Sequence, residues 1–363
     1  MDDLSSRMVD QLVRSGSITA PHIEAAFRST PRHLFLPDVD PGVVYTDEPI
    51  PIKRDEYGLP ISSSSQPAMM ATMLDQLTLS GEESVLEIGT GSGYNAALIG
   101  AIVGGGRVRT VDIDEDLVAR AQRHLRSAGV TNVQATFVDG WSGFQEESPY
   151  DRVEVTVGVW DISPAWFDQL VPDGIIVVPL WLRAGIQASI AFRREGYDLV
   201  SVDVAPCGFM RLRGPHAGPE AYVPLDGWVF CDDATDSSQR DTARRLLESS
   251  AAITQAPELP SGWFTRVALS HPNPIRMWTA QEPWLDRQGI MLPDRRGLAL
   301  TEGDRVLTFG DARARDELLR VATSSSGHLE DMTIRAHQGN VPSDTTGLIL
   351  RRPAFSYSVS WPE

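Results

Sequence analysis

The sequence predicts an α/β protein in which a doubly wound, mostly parallel sheet is followed by an additional C-terminal α+β domain. An apolar run over residues 85–88 leads into a glycine-rich turn and then into a helical pattern. Strand and helix patterns continue to alternate to about Ile190, which is typical of a parallel sheet with right-handed crossovers. A Gly- and Pro-rich stretch at residues 213–220 then divides the chain. We therefore predict one domain over residues 1–213 and a second over residues 214–363.

The segment before the glycine-rich turn is predicted to be helical at first and irregular afterwards. Apolar residues recur at helical spacing from Ser5 to about Arg32, with a break at residues 15–17. Residues 37–60 are rich in Pro, Gly and acidic side chains, so we expect loops and a short strand there.

The alternating region supplies the strands of the predicted sheet. A helix of about four turns follows the glycine-rich turn, and a second strand then ends at Asp112. A helix over residues 115–128 leads to a third strand that ends at Asp139. Apolar runs at residues 153–157 and 175–178 predict two further strands.

The glycine-rich turn itself predicts a ligand site. Gly89, Gly91 and Gly93 stand at alternate positions, where the missing Cβ allows positive φ and a close approach of a ligand to the backbone. The spacing differs from the dinucleotide pattern G-x-G-x-x-G, and no Gly-Lys-Ser/Thr follows, so nicotinamide and ATP sites are disfavoured. Glu87 adds a carboxylate that suits an amine-bearing or positively charged ligand. S-adenosyl-L-methionine (SAM), with its ammonium and sulfonium groups, fits this chemistry.

Two further carboxylates come at the ends of the next two strands. Asp112 lies roughly 20 residues past the glycines, from where an acidic side chain reaches ribose hydroxyls in doubly wound folds. Asp139, followed by Gly140, can accept a hydrogen bond from an adenine amino group. An ordinary strand-to-helix turn is the alternative for the glycines alone, but all three strand ends meet at one sheet edge. The predicted cofactor-binding residues are Glu87, Gly89, Thr90, Gly91, Ser92, Gly93, Asp112, Ile113, Asp139 and Gly140.

Several segments resemble the protein-L-isoaspartate O-methyltransferase family, in the same order and with similar spacing. They are MVDQLVRSGSITAPHIEAAFRSTPRHLFLP, ISSSSQPAMMA, EIGTGSGY, VDGW, SPYDRVEVTVGV, QLVPDGIIVVPL and PCGFMRLRG. The resemblance implies a Rossmann-like class I SAM-dependent methyltransferase, with S-adenosyl-L-homocysteine as the cofactor product. It covers roughly the first 213 residues and leaves the rest of the chain without a counterpart.

The acceptor side is predicted from a run of serines. Methyl transfer to a carboxylate is an in-line displacement, and a carboxylate is already ionised at neutral pH, so position matters more than a base. The resemblance implies Ser65 as the active-site serine, and we take Ser64 as a second catalytic candidate. A plain polar loop is the alternative for this run. We list Ser63, Gln66 and Trp160 as candidate substrate-binding residues, although Trp160 could equally pack against the second domain.

Two departures from the family pattern bear on the acceptor side. Ser63-Ser64-Ser65 stands where repair enzymes commonly have Thr-Ile-Ser, and residues 157–160 (VGVW) replace a run of alanines.

In the second domain, residues 237–250 predict a helix. The tryptophans there are expected to be mostly core residues, with one or two available to line a peptide groove. They are Trp228, Trp263, Trp278, Trp284 and Trp361.

Composition narrows the class of protein. The 32 basic and 49 acidic residues argue against a nucleic-acid-binding surface. Cys207 and Cys231 form no CxxC motif, so neither a disulfide framework nor a metal site is expected. The longest apolar run, residues 175–182, is interrupted by Pro179 and too short to cross a membrane, and residues 1–14 are too charged for a signal sequence. We expect a cytoplasmic enzyme, and the sequence leaves its oligomeric state open.

The unmatched second domain suggests a dedicated peptide substrate. The extended two-domain architecture resembles that of the methyltransferases associated with ribosomally synthesised lanthipeptides and graspetides. This resemblance implies methylation of one aspartate in a ring-constrained precursor peptide. The ester would then give an aspartimide or isoaspartate. A general isoaspartate repair methyltransferase is the main alternative, and a small-molecule or tRNA methyltransferase fits less well. A non-catalytic SAM-binding or peptide-binding module is the alternative from another class.

Overall fold

The computed structural model describes residues 2–219, 222–231, 237–279, 283–323, 327–339, 341–343 and 345–361. The chain forms two compact units. The first comprises Met1–Leu180 and Ser189–Ala217, and the second comprises Trp181–Ala188 and Gly218–Glu363. The second unit therefore includes Trp181–Ala188, a segment that the sequence prediction had assigned to the first domain.

The first unit consists of short amino-terminal helices followed by the alternating strands and helices. Its helices are α1 Asp2–Ser15, α2 Pro21–Ser29, α3 Pro41–Val44, α4 Pro67–Leu77, α5 Tyr94–Val103, α6 Glu115–Ser127 and α7 Pro164–Asp168. Its strands are β1 Ile50–Arg54, β2 Pro60–Ser64, β3 Ser84–Ile88, β4 Arg107–Asp112, β5 Val133–Phe137, β6 Tyr150–Val155, β7 Leu170–Trp181, β8 Gln187–Glu195 and β9 Asp198–Pro206.

The predicted parallel sheet is confirmed. Its strands in this unit lie in the order β9-β8-β7-β6-β3-β4-β5. Strand β3 pairs in parallel with β4 and β6, β4 pairs with β5, and β6 pairs with β7. The carboxyl ends of β3, β4, β5 and β6 therefore meet at one edge, next to the point where the chain order of the strands reverses. Strands β1 and β2 form a separate antiparallel hairpin.

Helices cover the sheet with buried apolar residues. Helix α5 is almost wholly buried, whereas α6 buries one stripe that includes Leu117, Ala121 and Leu125. Helix α5 has ten residues and is shorter than the four turns predicted from the sequence. It ends because Gly104 takes φ +49° and the chain then turns tightly into β4, where a Cβ on Gly106 would lie 2.2 Å from the Glu83 carbonyl oxygen.

The second unit is rich in antiparallel sheet, as expected for the additional α+β region. Its helices are α8 Ser237–Leu247, α9 Trp263–Ser270 and α10 Arg313–Thr323. Its strands are β10 Tyr222–Leu225, β11 Trp228–Cys231, β12 Ala252–Gln255, β13 Pro274–Thr279, β14 Asp286–Met291, β15 Gly297–Glu302, β16 Arg305–Gly310, β17 Thr333–His337, β18 Leu348–Arg351 and β19 Ser356–Ser360.

Two sheets organise these strands. Seven strands form a sheet in the order β10-β11-β13-β14-β15-β16-β12, and β18-β19-β17 pair antiparallel. The seven-stranded sheet buries both faces. Met291, Leu298 and Leu300 belong to one apolar cluster, whereas Ile290 and Ala299 belong to another. This alternation means that the second unit has a core of its own.

Membrane-spanning helices, metal sites and disulfide bonds were examined in the described residues. No helix in the described ranges is long and apolar enough to cross a membrane. Within the same ranges, no group of three His, Cys, Asp or Glu side chains is placed to hold a metal ion. Among the described residues, neither Cys207 nor Cys231 forms a disulfide bond.

Candidate active site

A cavity of about 450 Å³ lies at the carboxyl edge of the parallel sheet in the first unit. Three segments supply most of its wall: the serine run with its flanking residues at 60–66, the glycine-rich turn, and residues 206–213 after β9. The volume falls within the usual range for small-molecule and cofactor sites. The cavity is therefore the candidate site for both a cofactor and an acceptor group.

The glycine-rich turn forms the floor of this cavity. Gly89 and Gly91 adopt φ values of +107° and +51°, a region that favours glycine. A Cβ on Gly89 would lie 2.5 Å from Thr156 Oγ1, so that position also requires glycine for space. Gly89, Thr90, Gly91 and Ser92 line the cavity. The backbone of the glycine-rich turn is therefore exposed to the cavity, where a ligand can approach it closely.

Gly93 serves the helix rather than the cavity. It has φ +84° and precedes α5, and a Cβ there would lie 3.1 Å from the Cβ of Ala121. It is not among the cavity-lining residues. Close packing of α5 against α6 accounts for this glycine.

Asp112, the last residue of β4, lies in the cavity wall beside Ile113. One carboxylate oxygen accepts the Gly91 N–H at 3.1 Å, and the other accepts the Asp114 N–H at 3.0 Å. Burial raises the pKa of Asp112, although both backbone hydrogen bonds oppose that shift. The two bonds fix the carboxylate in one orientation. Its remaining lone pairs can accept hydrogen bonds from the hydroxyl groups of a ribose.

Asp139 and Gly140, which follow β5, also line the cavity. Asp139 accepts the Trp141 N–H at 3.0 Å, which caps a short 3₁₀ turn over Gly140–Ser142. A Cβ on Gly140 would lie 2.6 Å from Ile88 Cγ2, so this chain segment passes close to the end of β3. The predicted convergence of three strand ends thus brings Gly89, Asp112 and Asp139 to one cavity.

Glu87 is not part of the cavity wall. Its side chain is fully buried and does not line the cavity. Its carboxylate accepts the Asn95 amide at 2.8 Å and the Thr110 hydroxyl at 2.5 Å. Burial raises the pKa of Glu87 to about 7. The side chain is directed from β3 to Asn95 at the beginning of α5, so it lies behind the cavity wall rather than in it.

A second buried glutamate, which the sequence analysis missed, lies next to Glu87. Glu154 is the register partner of Glu87 in β6 and is also fully buried. The Asn95 amide donates its other hydrogen bond to Glu154 at 2.8 Å. Burial raises the pKa of Glu154 to about 8, and the neighbouring Glu87 carboxylate adds to that shift. An acidic residue within the run VEV was the available sequence signal.

The serine run lies opposite the glycine-rich turn. Ser63, Ser64, Ser65 and Gln66 all line the cavity. A Cβ on Gly91 would lie 3.4 Å from the Ser63 carbonyl oxygen, which shows how closely the two segments approach. The β1–β2 hairpin and the start of α4 hold the run at either end.

Arg32, another residue that the sequence analysis missed, fixes the serine run from behind. Its side chain is fully buried and donates to the carbonyl oxygens of Val44 (3.0 Å), Thr46 (3.1 Å) and Ser65 (2.8 Å). It also approaches Ser64 Oγ at 3.4 Å. Burial lowers the pKa of Arg32 to about 10, so it remains charged at neutral pH. An arginine close to the apolar run at residues 34–36 was the sequence signal.

The start of α4 is held by a carboxylate. Asp47 accepts the Ala68 N–H at 2.8 Å and the Gln66 side-chain amide at 3.1 Å. Gln66 therefore contributes to the cavity wall from a fixed position. Trp160, by contrast, is partly buried and does not line the cavity.

The third wall segment follows β9 and was noted in the sequence only as the end of the resemblance. Gly158 donates to the Met210 carbonyl at 2.7 Å and accepts from the Leu212 N–H at 2.8 Å, which ties this segment to the end of β6. Arg213 forms an ion pair with Asp114. Cys207 lies in the same wall, and burial raises the pKa of its thiol.

Comparison with known proteins gives a consistent result. A sequence model of the family described as protein-L-isoaspartate(D-aspartate) O-methyltransferase matches residues 3–214. The protein-L-isoaspartate O-methyltransferase 2 of Shewanella sediminis is 37% identical over 207 residues, which cover 57% of this chain and 82% of the relative.

Two solved structures extend this comparison. One named protein-L-isoaspartate O-methyltransferase shares 26% identity with a TM-score of 0.57, covering 98% of this chain and 99% of that chain, so the alignment includes the second unit. A Plasmodium falciparum structure in complex with S-adenosyl-L-homocysteine shares the fold, at 17% identity and a TM-score of 0.50, over 57% of this chain and 97% of that chain. The chain therefore belongs to the protein-L-isoaspartate O-methyltransferase family and is a SAM-dependent carboxyl O-methyltransferase.

Proposed function

We propose that this enzyme methylates the free α-carboxylate of isoaspartyl residues in peptides and proteins. The observation that supports this most is the close approach of the serine run to the glycine-rich turn across one cavity. A Cβ on Gly91 would lie 3.4 Å from the Ser63 carbonyl oxygen, and beyond this contact both segments line the same cavity of about 450 Å³. The cavity can thus hold a cofactor against the turn and a carboxylate against the serines.

The residues of the wall suit a reaction that needs positioning. SAM, when bound, supplies an electrophilic methyl group whose bond to sulfur breaks as a carboxylate oxygen bonds to it. The acceptor is already ionised at neutral pH, so no general base is needed. Among the described wall residues there is no histidine or lysine. The raised pKa of Cys207 keeps that thiol protonated, so it does not compete as a methyl acceptor.

In this proposal Ser65 orients the acceptor. Its hydroxyl donates to one carboxylate oxygen and leaves the other to attack the methyl group. Arg32 holds the Ser65 backbone at 2.8 Å, so the hydroxyl starts from a fixed position. Ser64 is mostly buried and lies beside Arg32, which suits a supporting role for that residue. Ser63 and Gln66 contribute to the acceptor side of the wall. Asp112, Ile113, Asp139 and Gly140 hold the adenosine part of the cofactor.

A second candidate function is methylation of one aspartate in a ring-constrained ribosomal peptide. A cleft of about 390 Å³ in the second unit favours it. Tyr222, Trp278 and Trp284 line this cleft, and the Trp284 side chain is 66% exposed. Exposed aromatic side chains are typical of peptide-binding surfaces. In this version the second unit recognises the precursor peptide, and the ester loses methanol as the next backbone nitrogen attacks, giving an aspartimide that can hydrolyse to isoaspartate.

The full-length similarity to a structure named protein-L-isoaspartate O-methyltransferase favours the first candidate. A second unit of this kind occurs in an enzyme of that name, so its presence does not require a dedicated ribosomal peptide.

Mass spectrometry of three peptides separates the candidates. The full chain is incubated with SAM and a linear isoaspartyl peptide, the same peptide with aspartate, or a ring-closed precursor peptide encoded beside its gene. The isoaspartyl function predicts one added methyl on the first peptide alone. Reaction of only the ring-closed peptide, at an ordinary aspartate, would support the second candidate. Cofactor binding without methylation of any peptide would indicate a non-catalytic module.

A further inference from the structure

We propose that Glu87, Asn95 and Glu154 form a proton-linked charge site that lets the enzyme distinguish SAM from S-adenosyl-L-homocysteine. We call Glu87 and Glu154 the glutamate pair. Asn95 bridges the two carboxylates of this pair. The inference rests on the cofactor site and does not depend on which peptide is methylated.

The first observation is the burial of two neighbouring carboxylates. Glu87 and Glu154 are register partners on adjacent parallel strands, and each side chain is 0% exposed. In the part of the chain that the structure describes, neither carboxylate has a cationic partner. The charged group that faces Glu87 from β4 is Asp112, which is also an acid. Two buried carboxylates in this setting cannot both be ionised without a large cost, so the pair holds a proton at neutral pH.

The second observation is how few donors serve the pair. The Asn95 amide gives one hydrogen to each glutamate at 2.8 Å. Thr110 gives a third hydrogen bond, to Glu87 at 2.5 Å. Glu154 Oε1 is buried and has no hydrogen-bond partner among the described residues. A carboxylic acid at Glu154 fits this arrangement better than a carboxylate, since its charged form would lack donors.

The third observation connects the pair to the cofactor cavity. Asn95 lines the cavity while bridging both glutamates. The Thr110 hydroxyl lies 2.8 Å from the hydroxyl of Thr90, which also lines the cavity. Glu87 is followed directly by Ile88 and Gly89, which are both wall residues. The pair is thus separated from the cavity by one layer of neutral polar groups.

This placement predicts an electrostatic coupling. SAM carries a sulfonium charge that S-adenosyl-L-homocysteine lacks, whereas the remainder of the two molecules is the same. A positive charge in the cavity favours the ionised form of the buried pair, because the low dielectric of the interior screens the interaction weakly. Thermodynamic linkage then requires that SAM binding releases protons and that release of the pair's proton strengthens SAM binding. The product, which lacks the sulfonium, gains less and leaves more readily.

Calorimetry tests this without using activity. Binding of each cofactor to the full chain is measured at pH 7.5 in phosphate and in Tris, whose different ionisation enthalpies give the number of protons exchanged. We expect SAM to release more protons than S-adenosyl-L-homocysteine. Between pH 6.5 and 8.5 the affinity ratio of SAM to S-adenosyl-L-homocysteine should rise about 5-fold or more.

Variants assign the effect to the pair. In Glu154→Gln the difference in proton release and the pH dependence of the affinity ratio should disappear, whereas the exposed Glu146→Gln control should behave like the unmodified chain. Glu154→Leu, which also cannot titrate, provides a second test if the glutamine variant does not fold. Equal proton release for the two cofactors in the unmodified chain would overturn the proposal, and so would a folded Glu154 variant that keeps the full difference.

Discussion

Substitution of Asp112 tests the cofactor site at its best-defined side chain. The carboxylate is 8% exposed and held by the N–H groups of Gly91 and Asp114 at 3.1 and 3.0 Å. Asp112→Ala removes an ionised acceptor for ribose hydroxyls and also loosens the glycine-rich turn. A hydrogen bond to a charged group contributes about 1.5 to 3 kcal/mol. Losing one such bond should therefore weaken SAM binding about 10- to 150-fold.

Isothermal titration calorimetry on the full chain measures this loss. Asp112→Asn keeps one side-chain oxygen and should weaken binding less than Asp112→Ala. Asp116→Ala is the matched control, because its side chain is 58% exposed and pairs with Lys53 on the surface. That control should leave the dissociation constant within about twofold of the unmodified chain. A folded Asp112→Ala variant with unchanged SAM affinity would refute the role assigned to this carboxylate.

Three further predictions concern the acceptor segment and its support. Ser65→Ala should lower kcat for the isoaspartyl peptide about 10- to 100-fold while SAM affinity is unchanged, and Ser62→Ala should lower it less. Arg32→Met should lower the free energy of unfolding by about 2 to 5 kcal/mol, since it removes the donor from the carbonyl oxygens of Val44, Thr46 and Ser65 among others, and Arg32→Lys should recover part of the loss. Burial raises the pKa of Glu154 from 4.5 to about 8, so the folded chain retains a proton that the unfolded chain releases. Glu154 alone should therefore lower the free energy of unfolding as pH rises through that interval, by at most about 1.4 kcal/mol per pH unit, and Glu154→Gln should make the total pH dependence less steep.

Different measurements check these three predictions. Steady-state kinetics that show equal kcat for Ser65→Ala and the unmodified chain would remove Ser65 from the acceptor site. Denaturant unfolding at neutral pH tests Arg32, and a Met variant as stable as the unmodified chain would mean that the buried arginine does not hold the serine run. Unfolding curves at pH 6 and pH 8.5 test Glu154, for which the same slope in the glutamine variant would contradict the account.

The sequence was sufficient to bring Asp112 and Asp139 to one edge of the sheet, because topology determines their position. Asp112 and Asp139 each follow a predicted parallel strand, and the carboxyl ends of such strands share an edge. The position of Glu87 could not be read in the same way. Residues 85–88 are buried on both faces of the sheet, so no alternation of polar and apolar residues shows which side each chain residue faces. The strand directs Ile88 to the cavity and Glu87 to Asn95.

Contacts between distant parts of the chain were also beyond sequence reasoning. Arg32 reaches Ser65 across 33 positions, and no local pattern specifies that bond. The segment Trp181–Ala188 belongs to the second unit although it contains the end of β7 and the beginning of β8. No local pattern in the sequence marks this division inside the strands. The family resemblance, rather than any periodicity, pointed to Ser65.

A crystal structure of the full chain with S-adenosyl-L-homocysteine and an isoaspartyl peptide tests the central claim most directly, namely that one cavity in the first unit holds both cofactor and acceptor. The account predicts the ribose hydroxyls on Asp112 and the isoaspartyl carboxylate within hydrogen-bonding distance of Ser65 Oγ. A peptide carboxylate bound away from residues 62–66, or an adenosine bound away from Asp112 and Asp139, would contradict it.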